Sequence, residues 1–99
     1  MRRRNLRNQR NHNGVSFELA ALVFEDDCCL ISPDRADSET GEQRWHALGA
    51  VHVEPGLAAV LLVVHVYREN VHGEEIIRII SARAAEKREV RRYQKQAMD

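Results

Sequence analysis

The chain has 99 residues, 43% of them hydrophobic and 30% charged, with no formal net charge. That is one domain's worth, residues 1–99, able to bury a modest core without metal or disulfide support. No apolar run nears the roughly 18–20 residues of a membrane-spanning helix, and Met1-Arg-Arg-Arg lacks the apolar stretch of a secretory signal. Cys28 and Cys29 are adjacent, a poor basis for a disulfide framework, and no C-x-x-C pairs suggest zinc; a reducing cytoplasm fits best.

The zero balance hides a pattern. Residues 1–14 sum to +5, 15–48 to −6, 49–75 to −3 and 76–99 to +4. Ends that meet in the fold would make a basic surface able to hold an anion; the plainer alternative is two helices with solvated charged faces.

In chain order, Arg2 to Asn11 reads as a polar helix stopped by Asn13-Gly14. Ser16 is a good N-cap for a second, short amphipathic helix carrying Phe17, Ala20, Ala21 and Phe24. Cys28 to Ser32 reads as a strand, and Pro33 to Gly41 as a polar loop. Gln43 to Val53 is a second strand, in which Gly49 marks a bulge or a close approach. Pro55-Gly56 turns the chain into Leu57 to Tyr67, an apolar run expected of a central strand covered on both faces. Asn70 to Gly73 punctuates a hairpin into the β-branched strand Glu75 to Ile80. Ser81 then caps a last helix, Ala82 to about Met98, with Val90, Tyr93 and Ala97 as a narrow apolar stripe. The fold class is α+β: a small, mostly antiparallel sheet of about four strands with two N-terminal helices and one C-terminal helix.

The sharpest cluster lies near the C-terminus. Arg78 precedes a strand-to-helix junction at Ser81, and Arg83, Lys87 and Arg91 follow at helical spacing, with Arg88 and Arg92 one position round. A helix N-terminus, a hydroxyl and several guanidinium groups suit a phosphate, although a solvated basic face with Ser81 as a mere cap fits the same residues. His12, His46, His52, His65 and His72 form no helical metal pair, and no metal site is expected. His46 and His52 read as ordinary surface or hydrogen-bonded histidines, Trp45 as core, and Cys28 as unactivated.

Asn8-x-x-x-His12-x-Gly14-Val15-Ser16-Phe17-Glu18, Val23-Phe24, Gly41-Glu42-x-Arg44, Val63-Val64 and Ile77-Arg78-Ile79-Ile80-Ser81-Ala82-Arg83, with Arg88-Glu89 and Tyr93, resemble the BrnT toxins in order and spacing. The Arg78-to-Arg83 block with Glu89 and Tyr93 is the specific part. The resemblance implies a RelE-like fold and a metal-independent endoribonuclease toxin of a type II toxin–antitoxin pair. It implies no cofactor, a cellular RNA substrate and a BrnA-type ribbon-helix-helix antitoxin, with operator DNA bound only through that antitoxin and no membrane. Within it, Arg78 and Arg83 bind the phosphate and its transition state, while Arg44, Lys87, Arg88, Arg91 and Arg92 hold the RNA backbone. Glu42, Tyr93 and His12 are the proton-transfer candidates. Glu42 equally suits an arginine-orienting ion pair, and Tyr93 a core residue with a satisfied hydroxyl. A non-catalytic antitoxin-binding subunit, or an inactive trimmed toxin, is the alternative function.

Chains of this family usually open with an edge strand ending in Trp-Asp-x-x-Lys. Here Arg4 stands where that Lys would fall, too close to Met1 for the strand. The resemblance therefore implies either a start upstream of Met1 or a trimmed, less stable member.

Overall fold

The computed structural model describes residues 15–98. Ser16 caps the short helix α1 (Phe17–Ala21), its hydroxyl oxygen accepting from the Leu19 N–H at 3.0 Å, and a 3-10 turn (Leu22–Glu25) follows directly. Four strands come next, β1 (Leu30–Ala36), β2 (Gln43–Glu54), β3 (Leu57–Glu69) and β4 (Glu75–Ala84), and then helix α2 (Lys87–Met98). The strands form one antiparallel sheet in chain order β1-β2-β3-β4. The α+β class is as expected; of the two N-terminal helices the second is present, and the first, Arg2 to Asn11, lies outside the described residues. No helix among the described residues is long and apolar enough to cross a membrane.

Strand alternation sorts the core into two layers. On the back face Ala47, Val51, Leu61, Val63 and Ala82 pack under Ala20 and Val23. On the front face Leu48 and Leu62 pack under Tyr93 of α2, flanked by Leu30, Ala50 and Val60. The apolar run of β3 is thus buried on both sides at Leu61, Leu62 and Val63, as a central strand requires. Gly49 marks a close approach: a Cβ there would stand 2.7 Å from Val23 Cγ1 and 2.9 Å from the Val23 carbonyl oxygen. The buried positions are Ala20 in α1 and Val23 in the 3-10 turn, while Ala21 of the expected stripe is exposed, because the chain tightens to about three residues per turn after Ala21.

Two boundaries differ from expectation. Strand β1 runs on through Pro33 to Ala36; a residue without an N–H is tolerated there because β1 is an edge strand. Strand β4 does not stop at Ile80. Arg83 and Ala82 pair with Leu62 and Val63, so Ser81 is a strand residue rather than a helix cap, and Arg83 precedes the helix. The long β3 supplies backbone partners as far as Val60, whose carbonyl accepts from the Ala85 N–H at 2.9 Å, and that pairing outweighs local helix preference. Helix α2 is instead started by Glu89, whose carboxylate reaches back to accept from the Glu86 N–H at 2.8 Å.

Candidate nucleic-acid interface

Helix α2 covers only part of the front face, and the pairing register lays out what remains as rows across the strands. Leu48, Leu62 and Arg83 form one row, next to α2; Ser32, His46, Val64 and Ser81 form the next. Beyond it, Arg44 and Arg78 flank Val66, and Glu42 meets Arg68. Two bulges shape this surface. On β1, Asp34 and Arg35 together oppose Arg44; on β4, Ile80 has no partner between Ile79↔His65 and Ser81↔Val64. Bulges increase local twist and re-aim neighbouring side chains.

Glu42, Arg44, Val66, Arg68, Arg78 and Ile80 line a cavity of about 200 Å³. Val66 is buried at its floor beside three arginines, whose aliphatic stems suit such a surface. Most of the guanidinium groups are held by carboxylates. Arg68 Nε and Nη2 donate to the two Glu42 oxygens, each at 3.2 Å. Arg44 pairs with Asp37 at 3.2 Å. The Asp37 carboxyl is held below its ordinary pKa by the Thr40 and Glu39 N–H groups and by Arg44. Arg83 makes a bidentate pair with Glu89, both bonds 2.9 Å, and this pairing lowers the Glu89 pKa. Arg78 is exposed and, among the described residues, has no ion pair.

The basic residues Lys87, Arg88, Arg91 and Arg92 are exposed on α2, which starts two residues after β4. Tyr93 lies apart from the cavity lining: it is buried against Leu48 and Leu62, and its hydroxyl donates to Asp26. Burial and that bond to a carboxylate push the Tyr93 pKa up. His12 lies outside the described residues. Sequence reasoning passed over Arg68 and the pairing of His46 with Asp34, in which Nε2 lies 3.2 Å from Asp34 Oδ2. Both follow from cross-strand register, which periodicity within one segment does not carry; a positional hint was available only in the Glu-x-Arg spacing.

Elsewhere the chemistry is less suited to an anion. A wider cavity of about 570 Å³ is lined by Glu25, Asp26 and Asp27 with Cys28 and His52, the wrong sign for a phosphodiester. Cys28 and Cys29 turn to opposite core layers, and burial together with Asp26 pushes the Cys29 thiol up to about 11, far from a reactive thiolate at neutral pH. Among the described residues no three His, Cys, Asp or Glu side chains could hold a metal ion together.

No curated protein matches the chain. A family model described as "Ribonuclease toxin, BrnT, of type II toxin-antitoxin system" matches residues 2–89, taking in Glu42, Arg44, Arg78, Arg83 and Glu89 and stopping short of Tyr93. A match over that much of the chain, on residues that assemble one basic sheet face, makes this protein a member of the BrnT family of type II toxin–antitoxin ribonuclease toxins.

Proposed function

We propose that this chain is a metal-independent endoribonuclease that cuts cellular RNA in the cytoplasm, stops translation, and is neutralised by a BrnA-type ribbon-helix-helix antitoxin. The observation that supports it best is the convergence of Arg44, Arg68, Arg78 and Arg83, from three strands, on one open sheet face. Cleaving a phosphodiester through its own 2′-hydroxyl needs permanent cations where the phosphorane charge develops, and guanidinium groups supply charge and paired donors together. Arg78 is the cation for the scissile phosphate. Arg83 assists from two rows away, across the row of Val64 and Ser81, and Arg44 with the basic face of α2 tracks the backbone. Glu42 orients Arg68, and Tyr93 anchors α2 to the sheet. The fold is read as RelE-like, and the antitoxin brings the operator DNA.

The test is induction without antitoxin. Growth arrest with RNA cleavage, cleavage by purified protein in excess chelator, and loss of both in Arg78→Ala would support the proposal. Intact RNA with folded protein would refute it. The pairing of three of the four arginines with carboxylates favours a second reading, a non-catalytic subunit that covers the antitoxin and tightens its grip on the operator. A gel shift with both proteins and no RNA cleavage would support that reading.

A further inference from the structure

We infer that His46, held by Asp34, is the base that removes the proton from the RNA 2′-hydroxyl; this deepens the ribonuclease reading above and rests on it. The row containing His46 lies between the row of Arg78 and the row of Arg83. Neighbouring positions on one face of a strand are roughly 6–7 Å apart along it. A phosphate reached by both arginines therefore sits over the middle row. Among Ser32, His46, Val64 and Ser81 in that row, the imidazole is the group with a ring-nitrogen lone pair that can accept a proton.

The pair is built rather than incidental. Asp34 stands in the β1 bulge, and its backbone carbonyl accepts from the Gln43 side-chain amide at 2.6 Å. Its carboxylate Oδ2 lies 3.2 Å from His46 Nε2, the arrangement that favours the hydrogen on Nε2, and we assign the lone pair to Nδ1 on that ground. Nδ1 has no hydrogen-bond partner among the described residues. Both side chains are 30% exposed, open enough to meet a substrate. A surface pair of this kind contributes little to stability, so the fold gives small reason for a carboxylate–imidazole arrangement in the row beside the arginine-lined cavity.

In the reaction, Nδ1 takes the 2′-hydroxyl proton as the 2′-oxygen bonds to phosphorus. The P–O5′ bond breaks, and the 5′-oxygen takes a proton from water. The hydroxide left behind receives the proton of the imidazolium, restoring neutral His46. The products are a 2′,3′-cyclic phosphate and a 5′-hydroxyl, with no redox change. Asp34 holds the tautomer and offsets the imidazolium charge. The other charged or titratable groups around His46 are Arg44 on its own strand, Arg78 and Arg83 on β4, Glu89 behind Arg83, and His65 on β3 from the opposite face.

The experiment measures single-turnover cleavage of an RNA oligonucleotide by the full chain from pH 5 to pH 9. The variants are His46→Gln and Asp34→Asn, with thermal melting and binding of a 2′-deoxy analogue as checks on folding. A wild-type rate that falls at acid pH, a loss of about 100-fold or more in His46→Gln at pH 7.5 with binding retained, and a residual rate without that acid limb are expected. Asp34→Asn should be slower than wild type and shift the limb, which keeps the inference testable if His46→Gln does not fold. Cleavage by His46→Gln within about threefold of wild type, or an unaltered limb in Asp34→Asn, overturns the inference and leaves the ribonuclease reading standing. Intact RNA with the wild-type chain overturns both.

Discussion

The Tyr93 hydroxyl donates its hydrogen to Asp26 Oδ2, joining α2 to the turn behind α1 across 67 positions of the chain. The same carboxylate accepts from the Ala50 N–H at 2.8 Å and from the Cys28 N–H at 3.0 Å. Ala50 lies just beyond the last β1–β2 pair, Leu30↔Leu48, so Asp26 satisfies a strand N–H that β1 no longer reaches. Burial alone would raise the Asp26 pKa; the bonds from Ala50, Tyr93 and Cys28 outweigh it and hold the carboxyl below its ordinary value.

Tyr93→Phe is therefore expected to lower unfolding stability by about 1–3 kcal/mol at pH 7, the usual cost of removing a hydrogen bond to a charged group. The pH sign follows from the two shifts. Asp26 is depressed in the folded state, so its contribution is present above about pH 4 and is lost as pH falls through the folded value. Tyr93 is raised, so its contribution is complete below about pH 10 and is lost as pH rises through its folded value. Urea midpoints of the two proteins should differ at pH 7 and converge on acidification below pH 4. Equal midpoints at pH 7 would show that the bond contributes nothing.

Gly49→Ala should destabilise by about 1–3 kcal/mol through overpacking, since the new methyl group would press on Val23 Cγ1 at 2.7 Å and on its backbone oxygen. The strand residue itself would prefer alanine, so a stabilised variant in urea unfolding would mean that the 3-10 turn yields freely.

His65 is fully buried, and its ring meets Phe24 at 4.8 Å and Tyr67 at 5.0 Å between centroids. Among the described residues, neither ring nitrogen has a hydrogen-bond partner of normal geometry. Burial lowers its pKa, the Val63 backbone offsets part of the effect, and nearby His46 adds to the depression. A depressed histidine contributes stability above its unfolded value of about 6.5, lost as pH falls through the folded value. Chemical denaturation of the wild type at pH 7.5 and 5.5 should show a loss at the lower pH. His65→Phe keeps an aromatic body in the same pocket and should reduce that loss; an equal loss in both proteins would place the acid sensitivity elsewhere.

Arg78→Ala and Arg83→Ala should separate function from folding. Arg78 has no ion pair among the described residues, so its removal should abolish RNA cleavage with little change in melting temperature. Removing Arg83 also strips Glu89, which starts α2, of its bidentate partner. Discounted for partial exposure, that costs about 1 kcal/mol, or roughly 4–8 °C in a chain of this size. Equal melting temperatures for the two variants would deny Glu89 its double role.

Features set by local chemistry were readable along the chain. Ser16 before an apolar stripe, the Asn70 turn, whose side chain accepts from the His72 and Glu74 N–H groups, and the unbroken apolar run of β3 each depend on near neighbours. So did the choice of Gly49 as a special position, the arginine-rich end of the chain and the family likeness. Tertiary structure decided the rest. Ser81 and Arg83 have the local character of a helix start, yet β3 offers them backbone partners, and that cross-strand pairing outweighs a weak helix preference. Pro33 reads as a loop until β1 is known to be an edge. Arg68 and Glu42, His46 and Asp34, and Tyr93 and Asp26 became pairs only when register and layer packing brought separate segments together, because a charge or a hydroxyl carries no local signal of which distant partner it will meet.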